Sequence, residues 1–257
     1  VSDTFDFSPY DVVYWRSATI TSRFAKVAGR HTLLSKNKGN TIFINSFLLD
    51  KPQLVQKSVQ QAHLANVQNT VNTIPTFLAA NETSFAELID EKKIVLPCIA
   101  KPNQGSQGNG VVLLTSTEDF LNIEKPKEYV FQNFIPNNED YRVIVVGGAV
   151  IDVLKRRPSS ESTKSYLNNL SQGGVAESVR DIDFYNKMAT LGEQVAAAFS
   201  YQIAGIDFIV DSTSNKIYFM EINSVPQWEI FGNALKEDVG KIILGYMIQF
   251  GRRQQLP

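Results

Sequence analysis

The apolar positions along the chain change period near residue 94. Before it, the runs DVVYW and TIFINSFLL are separated by the polar turn GRHTLLSKNKGN, and they read as two strands around a short helix at 21–28. Asp50 then stands where an N-cap belongs, Pro52 falls in the first turn, and Val55, Val59 and Ala62 follow at i, i+4 and i+7. That spacing predicts a helix over 51–66. A shorter helix is predicted at 84–91, capped by Thr83 or Ser84. From Ile94 onward the runs IVLPCIAKP, GVVLL, EYVFQNFI, YRVIVVGG and AVIDVLKRR are β-branched or aromatic and bounded by Gly, Pro or Asn, which predicts strands. Gly147-Gly148 predicts a hairpin between two of them. Phe184, Met188, Leu191, Val195 and Phe199 mark a long amphipathic helix. IAGIDFIVD and KIYFMEI flank the polar turn DSTSN as a second hairpin, and a closing helix is predicted at 239–250. The pattern fits an α+β protein with a mainly antiparallel sheet.

Composition narrows the function classes. The 257 residues carry 25 Lys plus Arg against 26 Asp plus Glu, a net charge of −1, without the basic excess of a dedicated nucleic-acid binder. The single cysteine, Cys98, excludes an internal disulfide framework and every multi-cysteine zinc site. It lies in an apolar strand and reads as a core thiol. His31 and His63 are the only histidines and no HExxH or GxSxG exists, so zinc hydrolases and serine triads lack support. No apolar run approaches 18 residues, and the stretch 1–10 lacks the basic and apolar regions of a signal peptide. The expectation is a soluble, cytoplasmic protein with no membrane partner. The first residue is Val rather than Met, so the sequence reads as a fragment of a longer product.

Three constellations could carry chemistry. In Lys101-Pro-Asn-Gln-Gly-Ser-Gln-Gly-Asn-Gly110, three glycines within six residues let backbone N–H groups turn towards an anion. No Gly-Lys-Ser/Thr follows and the next segment is strand-like, which separates it from a Walker loop and a dinucleotide fingerprint. It reads as a flap between strands, with Lys101 supplying a compact charge to a phosphate; a plain glycine-rich hairpin is the alternative. Asp207 in GIDFIVD, with Glu221 and Asn223 two apart in MEIN, can share one sheet face if the strands pair through DSTSN. Two carboxylates and an amide oxygen are hard donors suited to Mg²⁺, whereas a solvated edge is disfavoured by the apolar neighbours. The third is basic: Arg142, Lys155, Arg156, Arg157 and Lys164. Arg142, Lys155 and Arg157 alternate with apolar positions or close a strand, so some of them are expected to face the carboxylates, while at least one of Arg156 and Arg157 is expected to be solvated, as charge runs usually are.

Taken in order, LLDKPQLVQKSV, VLPCIAKPNQGSQGNGVVLL, VFQNFIPNNEDYRVIVVGG, NNLSQGG, AGIDFIV and MEINSVP resemble the ATP-grasp superfamily, and within it the RimK-like branch of ribosomal-protein glutamate ligases. The resemblance implies the ATP-grasp fold, with two α+β subdomains clasping ATP. It divides the chain into a truncated preceding segment, 1–49, and an ATP-grasp region, 50–257, whose lid covers about 50–130 and whose C-terminal part covers about 131–257. It places Lys51 and Lys101 on phosphates under a flap of Gln104, Gly105, Ser106, Gln107, Gly108 and Gly110. Gln132, Asn133, Phe134 and Ile135 would line the adenine pocket, and Asp140 would bond the ribose. Arg157 and Asn169 would face the triphosphate or the acyl phosphate, and Arg142 a substrate carboxylate or phosphate. Asp207, Glu221 and Asn223 would hold two Mg²⁺ ions, with Mn²⁺ as a substitute.

The sequence departs from the family pattern in three places. Asn133 replaces a hinge Glu, Leu167 replaces an arginine before Asn169 with Lys164 the nearest basic residue, and the first strands of the preceding domain are missing. The implied activity is ATP-dependent ligation of a carboxylate to an amine through an acyl phosphate, releasing ADP and phosphate, with an amino acid, peptide or protein tail as acceptor. A homo-oligomer is compatible with it. A peptide macrocyclase, a small-molecule kinase and a non-catalytic nucleotide-binding module stay open.

Overall fold

The computed structural model describes residues 10–14, 41–47, 51–67, 70–105, 108–157, 175–235 and 237–254. The helix expected at 21–28 lies outside them, as do Ser106, Gln107, Lys164, Leu167 and Asn169. Near the start, β1 (Val12–Tyr14) and β2 (Ile42–Ile44) form a parallel pair. The remaining strands make two sheets. In the smaller, β4 (Thr76–Phe77), β7 (Tyr129–Asn133), β5 (Cys98–Pro102) and β6 (Val112–Leu114) lie side by side in that order, all antiparallel. The larger has six strands, in the order β10 (Val175–Ser178), β9 (Ala149–Arg157), β8 (Asp140–Val146), β11 (Ile203–Val210), β12 (Ile217–Asn223) and β3 (Asn72–Thr73). Only the short β12–β3 pairing in it is parallel. Both predicted hairpins are present, at Gly147-Gly148 and across 211–216.

Local chemistry adjusts the predicted helices. The span 51–66 breaks into a 3₁₀ turn, Pro52–Val55, and α1 (Lys57–Ala65), because Gln56 between them is extended. The second helix, α2 (Glu82–Asp90), begins earlier than predicted. Its cap is Asn81, whose side chain accepts from the Ser84 amide while the Ser84 hydroxyl bonds back to Asn81, a reciprocal box that makes Ser84 the third helical residue. The long helix α3 (Ile182–Ala198) is capped by Asp181, and α4 (Val239–Gln254) runs four residues past its predicted end. Among the described residues no helix is long and apolar enough to cross a membrane.

Three apolar cores follow from these layers. Met188, Leu191 and Val195 of α3 pack on Val143, Val145, Ile206 and Phe208 on one face of the larger sheet. Ile243 of α4, with Phe231, packs on Ile144, Val146 and Ile203 on the other face. The smaller sheet is filled by Phe85, Phe120 and Phe131, whose rings stack or tilt at 4.8–5.6 Å.

The alternation of the larger sheet is interrupted twice. Across β11 and β12, Phe208 pairs with Phe219 but Asp207 pairs with Glu221, leaving Met220 as an extra residue. Ile217, Phe219 and Ile222 therefore all enter the α3 core. Strict alternation would have put Glu221 on the same face as Phe219; the bulge turns it away. Across β8 and β9, Val145 pairs with Val150 but Ile144 with Asp152, so Ile151 is extra in the same way.

Candidate active site

Beyond the α4 core, the outward face of the larger sheet carries charge. The register sets Asp140 opposite Arg156, Arg142 opposite Leu154 and Asp207, and Asp207 opposite Glu221. Arg142 grips both oxygens of Asp207, through Nε to Oδ1 and through Nη2 to Oδ2 at 2.8 Å, and its Nη1 donates to the Pro226 carbonyl at 2.9 Å. Arg156 Nε donates to Asp140, and its Nη2 lies 3.1 Å from Asp207 Oδ1. All four side chains are buried. Gly205, beside Asp207 on β11, makes this possible: a Cβ there would lie 3.0 Å from Arg142 Nη1 and 2.9 Å from Pro226 Cα.

Burial pushes both carboxyls of this cluster upwards, and the neighbouring charges leave them shifted in opposite directions. It would raise the Asp207 carboxyl, but the Arg142 and Arg156 guanidiniums outweigh it and hold Asp207 below the usual carboxylate range. Asp140 is pushed up to about 6 by burial; Arg156 opposes the rise, and the Asp207 charge adds to it. The charged network is thus anchored on Asp207, with Asp140 the more readily protonated of the two.

A second cluster brings the smaller sheet to this face. Lys101, on β5, is buried and makes no ion pair among the described residues. Burial lowers its ammonium to about 8, with Glu221 pulling it back up and Lys57 lowering it further. Lys57, the first residue of α1, is also buried, with Nζ 3.3 Å from Glu221 Oε2 and 2.9 Å from the Gly105 carbonyl it bonds. Glu221 Oε1 accepts from Asn223 Nδ2 at 2.9 Å. The root of the glycine loop closes on α1: the Asn103 carbonyl accepts from the Lys57 amide, and Asn103 Oδ1 accepts from the Ser58 amide and hydroxyl. These contacts satisfy helix-terminal donors that a loop elsewhere would leave open. Gly105, Gly108 and Gly110 all have positive φ, as a tight flap requires.

The expected site residues divide accordingly. Lys101, Arg142, Asp207, Glu221, Asn223 and Asp140 converge, although Asp140 meets Arg156 rather than lying open to a sugar. Gln104, Gly105, Gly108 and Gly110 lie in the loop beside Lys57. Lys51 is exposed and outside the cluster; Lys57, which the sequence reading did not single out, holds the buried position. Arg157 turns to the opposite face, half-exposed, where it pairs with Glu177, which also takes Lys155 at 3.0 Å. The cleft-facing residue is Arg156, a correction with a specific cause. Counting straight back from the Gly147-Gly148 turn sets Lys155 opposite Asp140 and Arg157 on Arg142's face; the extra residue Ile151 moves Arg156 there instead. At the hinge, Gln132 donates to Thr76 Oγ1 at 2.6 Å, and the Asn133 side chain is tied to the Val95 amide and Lys93 carbonyl. Contact with a base at Asn133 would therefore run through its backbone groups.

Among the described residues no three His, Cys, Asp or Glu side chains gather into a metal cage. The donor set of Asp207, Glu221 and Asn223 needs only two carboxylates, and its amide and carboxylate oxygens are the hard donors Mg²⁺ prefers. With Asn223 Nδ2 bonded to Glu221, Oδ1 is the atom it has left for a cation. By donor chemistry the set fits the ion, with both Asp207 oxygens also held by Arg142 and one of them by Arg156.

Residues 50–247 match the family model of the RimK-like ATP-grasp domain. The chain is 27% identical over 179 residues to a probable alpha-L-glutamate ligase of Cellvibrio japonicus, an alignment covering 65% of this chain and 57% of that protein. It is 28% identical over 180 residues to human beta-citrylglutamate synthase B, covering 66% and 44% respectively. The chain thus spans about half the length of the curated relatives it matches. In fold it is similar to the ATP-grasp ligase PsnB complexed with minimal precursor, Mg and ADP, with a TM-score of 0.67 and 16% identity over 95% of this chain and 78% of that one. It is also similar to N5-carboxyaminoimidazole ribonucleotide synthetase from Thermotoga maritima, with a TM-score of 0.58 and 17% identity over 85% and 52%. With the family model spanning both sheets and the charged face between them, the chain belongs to the RimK-like ATP-grasp domain family.

Proposed function

We propose that this chain is the ATP-using part of a carboxylate–amine ligase, and that glutamate or a peptide bearing a free carboxylate is among its substrates. The observation that carries the reading is the convergence of Lys57, Lys101, Arg142 and Arg156 with Asp140, Asp207 and Glu221. Four cations against three carboxylates leave one net positive charge, before any metal, on a face bordered by a glycine flap. Such a face suits a polyphosphate and a developing phosphoryl transition state, for which catalysis is mainly positioning and charge neutralisation. The ligase names of the relatives support the same class.

In this reading the flap and smaller sheet form a lid over the larger sheet, with Lys101 and Lys57 on phosphate oxygens. The substrate carboxylate attacks the γ-phosphorus and ADP leaves; the amine then attacks the acyl carbon, phosphate leaves, and the amine proton goes to solvent. Arg142 and Arg156, fixed by Asp207 and Asp140, present guanidinium charge without reorganising. Asp207, Glu221 and Asn223 would hold Mg²⁺, two ions in our reading or Mn²⁺ in their place, and the metal supplies neutralisation of phosphoryl charge. The lack of a histidine base or serine nucleophile is consistent with such a mechanism.

Trapping with hydroxylamine tests the reaction class. With ATP, Mg²⁺ and a panel of amino acids and acceptor peptides, a hydroxamate is expected in amounts that depend on all three reactants. Asp207→Asn and Glu221→Gln should abolish it by orders of magnitude in folded protein. ADP with a phosphoester and no hydroxamate would make the chain a kinase, and neither product would make it a binding module.

A further inference from the structure

Strand β12 carries Glu221 and Asn223, yet among the described residues its outer edge is paired only at Tyr218 and Phe219, by the two-residue strand β3. Past that point a strand edge normally shows free backbone groups, and a bulge loosens it further. Here two consecutive glutamines of α1, each only 3% exposed, occupy the gap. Gln60 Oε1 accepts from the Ile222 amide at 3.0 Å, and its Nε2 donates to the Ile222 carbonyl at 2.9 Å and the Leu54 carbonyl at 2.8 Å. One side-chain amide thus makes both bonds that a neighbouring strand residue would make. Gln61 Nε2 donates to the Phe219 and Met220 carbonyls, both at 2.9 Å, and its Oε1 accepts from the Ile74 amide. That second amide straddles the bulged residue and ties it to the chain leaving β3.

We infer that Gln60 and Gln61 are positioning residues for the metal-binding carboxylate, standing in for the missing strand that would otherwise fix β12 where it bulges. The inference rests on the proposed role of Glu221 as a metal ligand. The logic is geometric. Ile222 follows Glu221 and Met220 precedes it, so both peptide units flanking Glu221 are held by α1 side chains. The same helix begins with Lys57, whose ammonium reaches Glu221 Oε2 and the Gly105 carbonyl of the flap. Helix α1 therefore fixes the backbone on either side of Glu221 and the charge at its tip, while its first turn is capped by the flap root. Two buried primary amides with every bond on backbone atoms are costly in a core that needs no register, because a missed partner leaves a buried polar group unpaired. Here they set the bulge, and the bulge sets which face Glu221 and Asn223 occupy.

The test measures metal binding directly. Mn²⁺ is titrated in the presence of ADP and the free ion is read by electron paramagnetic resonance, alongside thermal melts. Gln60→Met keeps side-chain length without polar atoms, and it should weaken Mn²⁺ binding about tenfold or more, the scale seen when groups that orient metal ligands are lost. ADP binding without metal should change far less. Gln60→Asn, which keeps both donor and acceptor on a shorter stem, serves if the Met variant does not fold, and is expected to fall between it and the unmodified chain. Phe85→Leu, in the core of the smaller sheet, lowers stability at a distance and should leave Mn²⁺ affinity unchanged. If the glutamine variants melt lower but bind Mn²⁺ like the Phe85 variant, the positioning role is overturned while the ligase reading stands. If the unmodified chain binds no Mn²⁺ with ADP, the metal site itself falls and this inference with it.

Discussion

On one face of the larger sheet, β8 and β11 present Val143, Val145, Ala204, Ile206 and Phe208 to α3; on the reverse, the same two strands bury Arg142, Asp140 and Asp207 with Arg156 of β9. The first face is held by many small, nearly independent contacts, so damage to it is graded by volume. The second, beyond the apolar part covered by α4, is held by a few mutually dependent charges. Removing one leaves its partner buried and unpaired, and the loss is then set by desolvation rather than by area. The same strands thus carry a forgiving surface and a brittle one, and the brittle one is where we place the chemistry.

The sharpest break in that contrast would come from Arg142→Met. It leaves the buried Asp207 carboxylate with Arg156 as its one remaining guanidinium partner and the Pro226 carbonyl without its Arg142 donor, and unfolding in denaturant should show a loss of about 3–5 kcal/mol. Val143→Ala, one residue away on the forgiving face, should lose about 2 kcal/mol. Equal losses would mean that the charged face is solvated enough to behave like the other. Lys101 sharpens the comparison, because it is a buried cation without an ion pair among the described residues. Lys101→Met should leave the melting temperature of the free protein unchanged or higher. It should also remove most of the nucleotide-induced stabilisation, which for the intact chain is about 2.7 kcal/mol at 100 times Kd.

The titration of Lys101 gives a smaller but signed effect. Burial lowers its pKa to about 8, and phosphate oxygens beside it would raise it again. Nucleotide binding near pH 8 should therefore take up protons, about half a proton per site, and almost none near pH 6. Calorimetry in buffers of different ionisation enthalpy reads this, and the uptake should vanish in Lys101→Met. Proton release at pH 8 would contradict the placement. The smallest effect belongs to Arg157→Ala. Its guanidinium is half-exposed on the far side of β9, so the stability change should stay within about 1 kcal/mol and turnover should hold. A large drop in turnover would put Arg157 back in the site.

Most of the fold was legible because its signals are local. The two hairpin turns, the long helix and the strand-rich half from Ile94 onward all rest on short-range patterns, and the glycine flap and the Asp207, Glu221 and Asn223 set were visible as motifs. What escaped depends on counting across a pairing. The choice of Arg157 over Arg156 follows correctly from uninterrupted alternation and fails because Ile151 adds one residue. Asp207, Glu221 and Asn223 reach one face only because Met220 adds another. Neither residue carries a bulge signal of its own, such as a glycine. Lys57 was hidden differently: its burial comes from Glu221 and Gly105, which are distant in the chain, while Lys51 in the recognisable motif is exposed.

Gly205 gives the arrangement an evolutionary signature. The Arg142 side chain crosses directly over its Cα on the way to Asp207 and the Pro226 carbonyl, leaving no volume for a methyl group. The Pro226 Cα closes the same space from the other side, 2.9 Å from where a Cβ would stand. Glycine at 205 is therefore held by two neighbours at once, one a side chain and one a backbone. Across homologues the constraint should appear as glycine kept at 205 wherever both the arginine and the turn carrying Pro226 are kept, and loss of the arginine alone should not release the position.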